Sequence, residues 1–448
     1  MPAHPSVRLL ARLLFAVGLV PAAASAQARY DLLVSSRATN SVKRFDGETG
    51  AYLGDFIANG TGGLSLTQEV RQGPDGNIYV TGRGNSAVLR FDRRTGAFLG
   101  PFTKGYSLDE PTKTNFGPDG RLYVSQWGQT KSTVAVFDGT TGDFIREATP
   151  ALNQPMQQLF EPSGGILVAT YGGHQVLRFA ADGSPGGSAV SGKALQGPVN
   201  LWRHPSGDLL VMDWQAGSVE RFDGATGAFR STFVSGLTTA EGWAIGPDGA
   251  LFLADWSRNL ILRYDATTGA ALGEFASGGG LTQPNSLIFV ERFPDFGLDV
   301  QPRTVSRPDG MTADVRVIVA ADRGLAFPDP VALGCSGLPA GWACQFARPT
   351  AAPGTTADTV GLVVKGPAVA AADGSLAWWL VGPGLLLVLV IGLPPRRQLA
   401  RTAILIGAAG CGGGATPPVD ESVTATVTIT GSAAGLTRST QVTVTLGG

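Results

Sequence analysis

One pattern returns six times between Tyr30 and Val290, and no other feature constrains the fold as tightly. An aromatic closes a β-patterned run and is usually followed by Asp and a Thr-Gly turn: R-F-D-G-E-T-G at Phe45, R-F-D-R-R-T-G at Phe91 and V-F-D-G-T-T-G at Phe137. It continues with R-F-A-A-D-G at Phe179, R-F-D-G-A-T-G at Phe222 and R-Y-D-A-T-T-G at Tyr264. The spacings of 46, 46, 42, 43 and 42 residues match the period of a four-stranded propeller blade. A second marker keeps step: G-P-D-G at Gly73, Gly117 and Gly246, E-P-S-G at Glu161 and H-P-S-G at His204.

Each marker has a local physical role. Pro presets φ, Asp bonds its own backbone and Gly takes the positive φ, so Pro-Asp-Gly makes a tight turn. The runs that follow, such as N-I-Y-V (77–80), R-L-Y-V (121–124) and L-F-L-A (251–254), read as buried strands. D-x-x-T-G then reads as a short hairpin loop with Gly in the left-handed position, leading to an outer strand such as A-F-L-G-P-F (97–102). Three-strand modules start near Tyr30, Asn77, Arg121, Ile166, Leu209 and Leu251, with inner strands near 66–72, 112–116, 156–160, 199–203, 241–245 and 284–290. The first module has no inner strand before it, and 284–290 has no module after it. Pairing these two closes the ring and removes an exposed edge. The expected architecture is all-β, with six blades.

The G-P-D-G-x-L-Y-V and R-F-D-G-x-T-G-x-F-L-G cadence resembles the NHL-like and TolB-like six-bladed propellers of exported bacterial proteins. That resemblance covers about 260 residues, and it implies a fold more than an activity, since such propellers serve as binding platforms, lactonases and lyases alike. Export agrees with residues 1–26: Arg8 and Arg12, the apolar run 13–20, and Ala24-Ser25-Ala26 as a small-x-small cleavage site. Losing the two arginines with this leader takes the net charge from −1 to about −3. Neither that balance nor any basic stripe interleaved with aromatics suits a nucleic-acid partner.

After F-P-D-F-G (293–297) the repeat stops and short β-patterned runs follow at 312–319, 329–335 and 357–364. Cys335 and Cys344, so close in an exported chain, are expected to form a disulfide stapling a β-turn; no His or further Cys is near to complete a zinc site. The stretch C-S-G-L-P-A-G-W-A-C followed by A-R-P-T-A-A-P-G resembles immunoglobulin-like modules of bacterial surface proteins. Residues 375–395 then carry no charge over 21 positions, hold a Trp pair at one end and stop against Arg396, Arg397 and Arg401. They read as a membrane span with the arginines on the cytoplasmic side. Residues 402–418 are also uncharged and suit a weakly hydrophobic return, while Cys411 after a basic and apolar run offers a lipoprotein-like alternative. The runs 421–431 and 439–447 read as a closing hairpin. The expected organisation is a leader (1–26), a propeller (27–292), an immunoglobulin-like sandwich (293–374), a hydrophobic membrane hairpin (375–418) and the last sandwich strands (419–448).

Sites in such a ring are expected at the mouth of the central channel, where the inner strands begin. There the blades offer Gln68-Glu69, Thr112-Lys113, Met156-Gln157, Val199-Asn200, Glu241-Gly242 and Asn285-Ser286. Glu69, Asn200, Glu241 and Asn285 supply oxygens of the kind a calcium-dependent lactonase needs, but Lys113 lies among them, so a polar channel lining without metal is the favoured reading. His204 reads as a surface turn residue, and His174 as a loop residue matching Asn40, Asn85 and Asn259; no His with an acidic partner stands out for a lyase. Trp127, Trp214 and Trp256 mark the side most suited to a ligand, because exposed aromatics are common anchors. The expected function is a non-catalytic recognition or scaffolding module for a protein, glycan or small molecule, with a metal-dependent hydrolase or lyase as the alternative.

Overall fold

The computed structural model describes residues 29–308, 310–322, 325–367 and 422–447. The expected leader, the hydrophobic stretches 375–395 and 402–418, and Cys411 lie outside those residues. Among the described residues, no helix is long and apolar enough to cross a membrane. The chain divides between Phe293 and Pro294 into two compact units.

The first unit holds six four-stranded antiparallel sheets, and their inner strands pack one against the next in a closed ring. This is a β-propeller. Five sheets are contiguous in sequence, beginning with the inner strands Thr67–Gln72, Pro111–Phe116, Pro155–Phe160, Pro198–Arg203 and Ala240–Ile245. The remaining one joins Tyr30–Ser36, Ser41–Asp46 and Tyr52–Ile57 to the late strand Pro284–Glu291, in register Leu32 with Phe289 and Leu33 with Ile288. It is called blade 1 below, and the others blades 2 to 6. Arg292, just beyond Pro284–Glu291, clamps the closure: its Nε lies 2.7 Å from Asp31 Oδ1 and its Nη2 2.7 Å from Asp46 Oδ2.

The repeated residues do what their chemistry dictates. Asp138 Oδ1 accepts from the amides of Thr140 and Thr141 at 2.9 and 2.7 Å, which fixes the D-x-x-T-G loop. Gly142 then takes φ 79°, and a Cβ there would lie 2.0 Å from the Phe102 carbonyl of the preceding blade. The same approach recurs around the ring, including Gly50 against Phe275 across the closure. This glycine therefore sets both a hairpin and a blade-to-blade contact. The terminal aromatics of the third strands, Phe45, Phe91, Phe137, Phe179, Phe222 and Tyr264, are all buried. Phe137, for example, packs with Tyr79 and Phe102 of the neighbouring blade, so the core lies between blades rather than within them.

The second unit is a β-sandwich. One sheet contains Phe296–Gln301, Thr312–Ala321, Asp358–Lys365 and Ala343–Phe346; the other contains Thr304–Arg307, Leu436–Leu446, Val423–Ala433, Val331–Ser336 and Thr350–Ala351. Alternating burial along Thr312–Ala321 and Val423–Ala433 brings Val315 and Val317 into one core with Val427 and Ile429. Cys335 and Cys344 form a disulfide, with Cα atoms 6.8 Å apart. The expectation of a turn staple needs correction, because Cys335 lies on Val331–Ser336 and Cys344 on Ala343–Phe346, so the bond ties one sheet to the other.

Candidate functional site

One position is equivalent in all six blades: the residue directly after the second strand. It is Arg37, Arg83, Trp127, Tyr171, Trp214 and Trp256 in blades 1 to 6. Each donates its backbone N–H to the carbonyl of the residue just before its own blade's inner strand. Trp127 to Glu110, Tyr171 to Gln154 and Trp256 to Thr239 span 2.9–3.0 Å, and Arg83 to Leu66 spans 3.1 Å. Buried aspartates fix the adjoining loops, as Asp213 does by accepting from Gly197 N at 2.8 Å. The six side chains therefore form a collar, all half-buried, with two adjacent arginines and an arc of four aromatics. Along that arc the ring centroids stand 5.0 Å apart for Trp127–Tyr171, 6.0 Å for Tyr171–Trp214 and 6.1 Å for Trp214–Trp256. Arg83 stacks over Trp127 at 5.2 Å and gives its Nε to Glu110 Oε2 at 3.1 Å.

The collar encloses a cavity of about 230 Å³ at the mouth of the channel. Its floor is Gln68, Met156, Val199, Glu241 and Asn285, each the second residue of an inner strand. Directly beneath, Lys113 is fully buried, with its Nζ 3.1 Å from Glu69 Oε2, 3.1 Å from Glu241 Oε1 and 3.0 Å from the Asn285 carbonyl. Burial alone would depress this lysine's pKa, but Glu241 and Glu69 outweigh it and hold the ammonium above its ordinary value. Glu69 also meets Arg71 Nε at 2.8 Å, and Asn285 Nδ2 donates to Glu241 Oε2 at 3.0 Å and to Gln68 Oε1. At the rim, burial and the neighbouring Arg83 push Arg37 below its ordinary value, partly offset by Glu241 and Glu110.

This donor set does not suit calcium. The two carboxylates that would face an ion are both spent on the Lys113 ammonium, which is itself a cation at that place. Among the described residues no three His, Cys, Asp or Glu side chains are grouped to hold a metal.

Of the residues singled out from sequence, Trp127, Trp214, Trp256, Glu241 and Asn285 line one cavity. Glu69 and Asn200 lie one layer deeper, Glu69 on Lys113 and Asn200 donating to the Glu241 carbonyl. Arg37, Arg83 and Tyr171 escaped notice, although each directly follows its second strand just as the three tryptophans do. His204 is not a surface residue: it is 5% exposed, with Nδ1 against Ser206 Oγ at 2.8 Å and Nε2 against the Thr267 carbonyl at 3.1 Å. His174 takes φ 55° at a tight hairpin position shared with Asn40, Ser86 and Asn259, so its blade 2 counterpart is Ser86 rather than Asn85.

No family model matches this chain, and no curated protein matches it. A chain in the crystal structure of a nidogen/laminin complex is 15% identical, with 59% of this chain and 100% of that chain covered at a TM-score of 0.49. A protein of unknown function from Bacteroides caccae is 15% identical over 59% of this chain and 99% of its own, at 0.48. The WD40 β-propeller domain of Doa1 is 12% identical over 56% of this chain and 79% of its own, at 0.43. At these values the neighbours lend nothing to the reading of the site, which rests on its own residues.

Proposed function

We propose that this chain is an exported, membrane-anchored six-bladed propeller on an immunoglobulin-like sandwich, and that it acts as a non-catalytic binding module. Its ligand seats in the collar at the channel mouth. The observation that carries this reading is the composition of the six equivalent collar positions. A purely structural ring would need only turn-compatible residues there, yet four are large aromatics and two are arginines, all half-buried around one cavity. Beneath them the polar groups are tied to one another through Lys113, which makes a rigid floor rather than a set of catalytic acids and bases. The leader at 1–26 and the uncharged stretch 375–395 with its three following arginines support export and anchoring.

The test is a screen of glycans, peptides and small molecules against the detergent-solubilised full chain, followed by tryptophan fluorescence. Hits should lose at least tenfold in affinity in Trp214→Ala and in Trp256→Ala, with the melting temperature little changed. Hits that bind both variants as they bind the parent would place the ligand elsewhere and end this reading.

A further inference from the structure

The cavity is divided into two chemically different halves. Blades 3 to 5 contribute the walls Trp127, Tyr171 and Trp214 over a floor of Met156 and Val199, none of which offers a charged group. Blades 6, 1 and 2 contribute the polar floor Glu241, Asn285 and Gln68 beneath Arg37 and Arg83. Two polar atoms in that second half remain unspent. Asn285 Oδ1 belongs to a side chain 1% exposed and accepts no hydrogen bond, and Arg37 Nε donates none. A buried acceptor left without a donor is costly, so this one calls for a donor from outside the chain.

The local charge points the same way. Arg71 and Lys113 are matched by Glu69 and Glu241, and Arg83 by Glu110. Arg37 has no carboxylate within ion-pairing distance among the described residues, and Glu241 and Glu110, paired to Lys113 and Arg83, act on it only from farther off. Burial first and Arg83 second hold the Arg37 pKa below its ordinary value, and Glu241 and Glu110 offset this only in part.

On the reading that the mouth is a binding site, we infer that its ligand is a monocarboxylate with an apolar or aromatic body and a hydrogen-bond donor next to the carboxylate. The carboxylate meets the Arg37 fork, which suits bidentate pairing. The donor meets Asn285 Oδ1, and the body lies against Trp127, Tyr171 and Trp214 over Met156 and Val199. A sugar fits less well, because hydroxyls turned toward Met156 and Val199 find no partner there. A free zwitterionic amino acid brings an ammonium beside Arg37 toward a Glu241 already spent on Lys113. Both an aromatic 2-hydroxy acid and the C-terminal residue of a peptide carry the required chemistry.

The experiment titrates the detergent-solubilised full chain with four probes, read by tryptophan fluorescence: 3-phenyllactate, N-acetylphenylalanine, phenylalanine amide and 3-phenylpropanol. The two acids should bind, and the cationic amide and neutral alcohol should bind at least tenfold more weakly. Arg37→Leu should cost the acids at least tenfold, while Arg37→Lys retains part of the affinity. Preference for phenyllactate assigns a free acid, and preference for the N-acylated acid assigns a chain end. If the alcohol matches the acids, if neither acid binds, or if Arg37→Leu binds them like the parent, the inference falls. A mouth that still takes Trp214-dependent hits from the wider screen would survive that failure. Should Arg37→Leu fail to fold, the comparison of acid with alcohol on the parent protein decides alone.

Discussion

Lys113 sits between Glu69 and Glu241 with no access to water, so its removal leaves two carboxylates facing each other across an empty gap. Its folded pKa lies above the ordinary 10.5, so the stability it contributes is complete below that value and is lost as pH climbs through the folded one. Lys113→Met should therefore cost about 3–5 kcal/mol near neutrality. It should also lose less additional stability than the parent near about pH 11. Urea midpoints at the two pH values measure both effects, and parallel losses in the two proteins would refute the assignment. Gly142 makes a second claim at this scale. Gly142→Ala meets both a left-handed backbone and the Phe102 carbonyl, whereas Gly120→Ala, at φ 76° in open space, meets the backbone cost alone. That shared cost is about 1–2 kcal/mol, so the excess in Gly142→Ala measures the contact between blades; equal losses would mean the contact is slack. The channel residues were legible in sequence because the inner strands align, but not which of two neighbours faces the cavity. The reason is a break in pairing register near the start of each inner strand, as between Thr67 and Val70 or Pro198 and Asn200. A bulge there interrupts the two-residue alternation on which such a reading depends. Arg37, Arg83 and Tyr171 were missed for another reason: they share a position with the tryptophans but not a residue type.

Counting strands in the sequence was enough to pair Tyr30–Ser36 with Pro284–Glu291, because each element carries its own β signal. What fastens that pairing was not legible. Arg292 reaches Asp31 and Asp46 from 261 and 246 residues away, and no local pattern announces such a partner. Breaking a buried ion pair by removing one member costs about 3–5 kcal/mol, so Arg292→Met should destabilise the propeller by that order. Burial works against ionisation of Asp46, but Arg292 and the amides of Thr49 and Glu48 lower its pKa to about 2. A depressed carboxylate contributes stability above its unfolded pKa and loses it as pH falls, here from about 4 toward about 2. Protection against hydrogen exchange along Pro284–Glu291, taken relative to the intrinsic rate at each pH, should fall through that window in the parent and already be low in Arg292→Met. Exchange that ignores both changes would mean the strand is held by its ladder alone. In the sandwich, the disulfide was legible from spacing, but its reach from sheet to sheet was not, since Ala343–Phe346 is a short strand that gives little signal of its own. Cys335→Ser with Cys344→Ser should lose about 2–3 kcal/mol by release of the closed loop. A melting curve unchanged by reducing agent would deny the bond that role.

The connection between the sandwich strands carries the largest consequence for the whole molecule. Val423–Ala433 pairs with Val331–Ser336, and Leu436–Leu446 pairs with Thr304–Arg307, so residues on either side of 368–421 belong to the same sheet. Strands of one packed sandwich must lie on one side of any membrane. If 375–395 crosses the bilayer, as its 21 uncharged residues and Trp pair lead us to propose, the chain has to cross back before Val423. Residues 402–418 are the stretch available for that return, and Arg396, Arg397 and Arg401 between the two stretches favour the cytoplasmic side. The propeller and the C-terminus should therefore share the outer face, with only the short arginine-bearing turn inside. A tag placed after Gly448 should be removed by protease added to intact spheroplasts, at a rate comparable to cleavage within the propeller. A cysteine introduced at Gln398 should resist an impermeant thiol reagent until the membrane is opened. Protection of the tag while the propeller is digested would mean a single crossing, which the observed pairing of Val423–Ala433 with Val331–Ser336 does not permit in one folded chain.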